Sequence, residues 1–159
     1  MAVTVKLKSA DAEKIFKNGQ TGTVTFSLDD FQKICEFEKA FNEFVKWSGR
    51  EVIVKGQGRT PSYNKSVKGN SGSSHLKALA KDTYFKKVSF DKARVIKYMK
   101  KWKEICEKHG IIGEAGFYPS YSYDGCTGML HLGAYITYSK KFTNWMTDSK
   151  GQHNNYYDV

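Results

Sequence analysis

Four histidines occur in the 159-residue sequence, at positions 75, 109, 131 and 153, and one of them precedes an aspartate by seven positions in GNSGSSHLKALAKD, residues 69–82. An imidazole nitrogen and a carboxylate oxygen are both good zinc ligands, and a catalytic zinc takes three protein ligands and leaves a position open. No regular element lets His75 and Asp82 share an ion. Seven residues of α-helix separate two side chains by about 10.5 Å along the axis, and an odd offset along a flat strand turns them to opposite faces. A bend between them does bring them together, and the glycines and serines of residues 69–74 supply the loop chemistry that precedes it.

A third ligand has to come from another histidine. His131 lies in GMLHLGAY, an apolar strand pattern in which an imidazole needs a partner. His109 closes a helical pattern, where the helix dipole favours it. His153 falls in SKGQHNNYYDV, a polar stretch with little periodicity that reads as a surface tail. By residue types alone, a metal site and a set of satisfied core or surface histidines both account for the pattern.

The elements that must position these residues follow from hydrophobic periodicity. VTVKLK (3–8) and TGTVTFSL (21–28) alternate apolar with polar and read as strands, with a short helix between them from Ser9 to Gly19. Ser27 and Asp30 have capping-box spacing, Phe31, Ile34, Phe37, Phe41, Phe44 and Val45 recur at helical intervals, and Gly49 ends the run. REVIVKG reads as a strand. SFDKARVIKYMKKWKEICEKHG reads as a second long helix with Val95, Met99, Trp102, Ile105 and Cys106 on its apolar stripe, lysines at 92, 97, 100, 101, 103 and 108 on the other face, and Gly110 as its stop. IIGEAGFYPS, GMLHLGAY and YITYS read as the last strands and KKFTNWMTD as a closing short helix. The order predicts one α+β domain over residues 1–159, a small antiparallel sheet with helices packed on one side.

Composition bounds the class. With 40% hydrophobic and 14% aromatic residues the chain is too apolar for disorder, and no run approaches the roughly 18 apolar residues of a membrane span. The opening MAVTVKLKSADAEKIFK has no uninterrupted apolar core with a small-residue cleavage site, so the expectation is a protein made in the cytoplasm without a signal peptide. Cys35, Cys106 and Cys126 are odd in number and far apart, which suits buried reduced thiols better than a disulfide framework or a paired-cysteine zinc site. A formal charge of +10 draws the protein to polyanions, whether nucleic acid, an anionic membrane surface or an anionic wall polymer.

The density of matches in KGQGRTPSYNKSVKGNSGSSHLKALAKD, residues 55–82, is what narrows these options. Arg59, Thr60, Pro61, Tyr63, Asn64, Ser73, His75, Ala80 and Asp82 stand where a strand leading into Gly-x-Arg-Thr/Ser-Pro, then Tyr-Asn, a glycine-rich loop and Ser-x-His-x-x-Gly-x-Ala-x-Asp would place them. The stretch closely resembles the first signature of the zinc D-alanyl-D-alanine carboxypeptidase and L-alanyl-D-glutamate endopeptidase family, which includes phage endolysins. GFYP at 116–119 and GMLH at 128–131 resemble the second signature, and the likeness covers roughly residues 27–148. The resemblance implies a Hedgehog/D-Ala-D-Ala peptidase-like fold in which His75, Asp82 and His131 bind one zinc ion, and an enzyme of lysis or wall remodelling that cuts the peptide stems of bacterial peptidoglycan once released. It also implies that Arg59 meets a substrate carboxylate or developing oxyanion and that Ser73 hydrogen-bonds substrate.

Two departures stand out. Relatives carry a proton-accepting acid or histidine near the last ligand, at positions that are Gly128 and Gly133 here, which leaves Asp124 and Glu114 as the nearby acids able to substitute. Ala78 replaces the family glycine. The alternative expectation is therefore a non-catalytic zinc-binding member of the same fold that binds a wall or a partner. A nucleic-acid-binding domain built on the lysine face of residues 92–108 is the reading from outside the family, and no nucleic-acid fold signature accompanies it.

Overall fold

Caps and glycine stops set the two long helices that back the sheet. The Ser27 hydroxyl accepts a bond from the Asp30 amide at 3.1 Å, and α1 runs Leu28–Ser48 until Gly49 takes a left-handed φ of 62°, a conformation glycine adopts without a Cβ clash. Ile34, Phe37, Phe41 and Phe44 are buried along it. Asp91 caps the other long helix, which ends before Gly110, and all five residues of its expected apolar stripe are buried. Phe37 of α1 meets Trp102 of that helix edge-on at 5.8 Å.

The computed structural model describes residues 1–7, 9, 12–16, 20–135, 141–147, 153–154 and 157–159. In chain order the elements are β1 (Ala2–Lys6), a 3-10 turn (Ala12–Lys14), β2 (Thr23–Ser27), α1, β3 (Val52–Gly56), α2 (Pro61–Ser66), a 3-10 turn (Ser74–Lys77), β4 (Ala80–Phe85), α3 (Lys92–Lys108), β5 (Ile112–Tyr123), β6 (Cys126–Tyr135), β7 (Thr143–Thr147) and β8 (His153–Asn154). β1 and β2 form a two-stranded antiparallel sheet, and the other six strands a second sheet in the order β3-β4-β6-β5-β7-β8. The fold is α+β, as the sequence predicts. Among the described residues no helix is long and apolar enough to cross a membrane.

Alternation of side chains along the strands divides the large sheet into two unlike faces. Phe85 of β4, Ala115 and Phe117 of β5, and Leu130, Leu132 and Ala134 of β6 join the residues of α1 and α3 in one apolar core. Lys81 also turns to this side, where its ammonium meets Glu38 of α1 at 2.9 Å and the Gln57 side chain, and stands 5.1 Å from the ring centre of Phe41. The opposite face carries Asp82, Glu114 and His131.

Several expectations need correction. The large sheet is mixed, because β7 runs parallel to β5. The closing short helix expected over 140–148 is absent from its described part: 143–147 form β7, where Thr143, Trp145 and Thr147 alternate with Asn144 and Met146, and β-branched and aromatic residues suit a strand completing an open sheet edge. His153, read from sequence as part of a surface tail, pairs through its backbone with Thr147 in β8. Cys35 is an exposed thiol, whereas Cys106 and Cys126 are buried. Of the described residues of the first short helix, Ala12–Lys14 form a 3-10 turn, whose Ala12 amide donates to the Ser9 hydroxyl at 3.2 Å. Its stop at Gly19, Lys8 of the first strand and residues 136–139 of YITYS lie outside the described residues.

Trp102 ties the two layers together. Its indole N–H lies 3.0 Å from the carbonyl oxygens of both Glu114 and Gly133, which face each other across β5 and β6. Replacing Trp102 with Phe keeps most of the ring and removes that donor, and is expected to cost about 1–3 kcal/mol in chemical denaturation. A change under a few tenths would show that the bond holds nothing.

Candidate metal centre

Asp82 and His131 stand directly opposite each other in the antiparallel pairing of β4 with β6, so both side chains rise on the same face. His131 Nδ1 lies 3.0 Å from Asp82 Oδ1. The second carboxylate oxygen, Oδ2, lies 3.3 Å from His75 Nε2 and 3.5 Å from Arg59 Nη2. Gly56 leaves the room this requires, for a Cβ there would stand 2.5 Å from Asp82 Oδ2.

His75 arrives on the bend that the sequence demanded. The Ser73 hydroxyl caps the 3-10 turn by accepting from the His75 amide at 3.3 Å, and Ala78 closes it with a left-handed φ of 57°. Ala78 thus holds a backbone form that glycine adopts more readily, despite its Cβ. The segment after β3 grips the turn from the side: the Arg59 amide donates to the His75 carbonyl at 2.8 Å, and His75 Nδ1 lies 2.6 Å from the Gln57 carbonyl.

Residues 60–70 build the rim. Thr60 caps α2 by accepting from the Tyr63 amide at 3.2 Å, with Pro61 at the first helical position, where a missing N–H costs nothing. Asn64 is buried. Its amide donates to the Asn70 carbonyl at 3.1 Å, its carbonyl oxygen accepts from Arg59 at 3.3 Å, and its backbone carbonyl takes the Gly69 amide, so one side chain pins the glycine loop and orients the guanidinium.

One ligand atom from each of His75, Asp82 and His131 falls within 4.8 Å of the others. This buried group could hold a metal ion, and its chemistry fits one. Two imidazoles and a carboxylate form a borderline donor set, and the outer nitrogen of each ring is already engaged, His75 Nδ1 by Gln57 and His131 Nε2 by Glu114 Oε1 at 3.2 Å. Burial opposes the charged form of Asp82, but hydrogen bonds from His131 and His75 outweigh it and hold the carboxyl far below the usual range. Burial likewise works against a charged His131, and its bonds to Asp82 and Glu114 overcome that and lift it to about 9.

The group lies in a cleft of about 990 Å³ whose walls include Arg59, Ser73, Tyr118, Tyr121 and Trp145. Of the two candidate acids, Glu114 reaches the centre from β5, where it is 2% exposed and its Oε1 accepts from both Ser74 and His131. Asp124 does not reach it: it is exposed in the β5–β6 turn with a φ of 48° and pairs with Lys86 at 3.4 Å. His109 sits at the end of α3 beside Glu36 at 3.2 Å, away from the cleft.

Sequence reasoning missed Gln57, Ser74, Tyr118 and Trp145. The Trp145 ring lies 5.2 Å from that of His131 and its N–H donates to the Tyr118 hydroxyl at 3.2 Å. A strand reading of 143–147 is the signal that would have found it.

Comparison with family models, with curated proteins and with solved structures gave no match to this chain.

Two outcomes are expected of the isolated protein. The His131 pKa is raised above its ordinary 6.5, so its contribution to the metal-free fold is complete below about 6.5 and is lost as pH rises through about 9. Thermal melts in chelator should therefore fall across that window, and an unchanged melting temperature rejects the paired imidazolium. Added Zn2+ should raise the melting temperature, by mass action on the folded state, and His75→Ala or Asp82→Asn should abolish the rise.

Proposed function

We propose that this chain is a zinc metallopeptidase that hydrolyses stem-peptide bonds of bacterial peptidoglycan, with a Hedgehog/D-Ala-D-Ala peptidase-like fold. The observation that carries the reading is the convergence of His75, Asp82 and His131 at the wall of one cleft, by the same residues that the family signatures single out. A zinc ion bound there supplies the charge that polarises an amide carbonyl and acidifies water.

The chain's own groups supply the rest. Arg59 is held at the cleft by Asn64 and Asp82, and its planar, permanently charged fork suits a substrate carboxylate or the oxyanion that develops from the attacked carbonyl. Glu114 is the carboxylate that reaches the cluster and takes the role of proton acceptor, a role Asp124 cannot share from the hairpin turn. Ser73 lines the cleft, but its hydroxyl is engaged in capping the turn that carries His75. The wall-directed role fits the net charge of +10, which favours retention on anionic wall polymers, and suits a phage-type lysis enzyme.

A non-catalytic, zinc-binding wall or partner protein on the same fold is the second reading. It is favoured by glycine at both positions where relatives keep their base. Gly128 in addition has a φ of 89°, and a Cβ there would stand 2.8 Å from the Phe117 ring, so no ordinary side chain replaces it without strain.

The deciding experiment is a digest of purified peptidoglycans of different stem chemistry, with and without chelator, read by mass spectrometry of the released fragments. Chelator-sensitive fragments are expected, together with a loss of turnover of about 10²–10⁴-fold in Glu114→Gln. Zinc bound with no fragment from any wall would reject the peptidase and select the binding protein.

A further inference from the structure

We infer that Glu114 also acts as the positioning residue that decides which nitrogen His131 offers to a metal ion. The inference rests on the metal-site part of the reading above and not on the identity of the substrate.

The His131 ring stands between two carboxylates, with Nδ1 3.0 Å from Asp82 Oδ1 and Nε2 3.2 Å from Glu114 Oε1. A neutral imidazole carries one proton, and only the nitrogen without it has a lone pair to give. With Asp82 committed to an ion, Glu114 is the acceptor that remains, and its Oε1 already serves as an acceptor for the Ser74 hydroxyl. The proton of His131 is therefore drawn to Nε2 and Nδ1 is left facing Asp82. His75 is set in the opposite sense, since the Gln57 carbonyl at 2.6 Å can only accept from Nδ1 and leaves Nε2 toward Asp82 Oδ2. One ring presents Nδ1, the other Nε2, and both point at the same carboxylate.

Two further contacts show that Glu114 is seated for this. Ser74, next to His75, donates its hydroxyl to the same Oε1 that accepts from His131, so the turn that delivers one ligand also steadies the partner of the other. Glu114 and Gly133 are cross-strand neighbours, and a Cβ at 133 would stand 2.5 Å from Glu114 Oε1 and 2.9 Å from its Cγ. The carboxylate occupies the space that a side chain at 133 would fill. Outer-shell carboxylates of this kind orient a metal-bound histidine, and their loss typically costs about 10–100-fold in metal affinity.

The test uses the full chain with Glu114→Gln, Glu114→Ala and Gly133→Ala. Zn2+ affinity is measured by competition with a chromogenic chelator, and the His131 ring is read in long-range proton–nitrogen spectra of the Zn2+-loaded, 15N-histidine-labelled protein. In the unaltered chain the spectra should place the proton on Nε2. Glu114→Gln keeps an acceptor oxygen and should bind Zn2+ nearly as well, while losing peptidase turnover. Glu114→Ala should weaken Zn2+ about 10–100-fold, and Gly133→Ala should weaken it in the same direction by crowding an intact carboxylate.

Each contrary result overturns the assignment: metal on Nε2 of His131 in the unaltered chain, unchanged affinity in Glu114→Ala or in Gly133→Ala, or a Gln variant as weak as the Ala variant. Failure to release wall fragments would sink the peptidase and leave these readouts intact.

Discussion

The candidate centre depends on strand register. Asp82 and His131 face each other across β4 and β6, and Glu114 faces Gly133 across β5 and β6. Side chains in a sheet alternate with a period of two, so sliding β6 by one residue against either neighbour would send His131 into the helix-packed core and bring Leu130 or Leu132 to the cleft. The core forbids that, because Leu130 and Leu132 are fully buried beneath α1 and α3. Hydrophobic burial on one face thereby places polar ligands on the other, with no interaction among the ligands needed to set the pairing.

His75 is the exception, since no strand brings it in. Its position comes from short-range devices: the Ser73 cap, the left-handed Ala78 and the backbone of Gln57 and Arg59. A turn fixed at both ends and along one side is nearly as restrained as a strand. Asn64 extends the same restraint to the glycine loop, which makes one buried side chain answerable for the shape of the cleft rim and for the aim of Arg59.

Local signals in the sequence were enough for the parts of the fold that are locally determined. Ser27 and Gly49 mark α1 by their own chemistry, and the Val95, Met99, Trp102 stripe marks α3. The need for a bend between His75 and Asp82 followed from helical and strand geometry alone. What escaped was non-local. The alternation of Thr143, Trp145 and Thr147 suits a strand, but five residues do not announce that β5 lacks a neighbour or that the pairing is parallel. The placement of Glu114 at the centre and of Asp124 outside it follows from cross-strand pairing, which no spacing along the chain encodes. Gly133 reads along the chain as a missing functional group, and across the sheet it is the space that the Glu114 carboxylate fills.

Adjacent residues of β4 carry opposite charges to opposite faces: Lys81 meets Glu38 and Gln57 among the helices, while Asp82 meets two imidazoles and Arg59 in the cleft. The strand therefore works as a two-sided key. Turned over, it would bring an ammonium against Arg59 and two imidazoles and set a carboxylate beside Glu38 at the edge of the helix-packed core, where two like charges without a cation are costly. Charge alternation along β4 therefore works with the burial of Leu130 and Leu132 on β6 to fix which face of the sheet looks into the cleft.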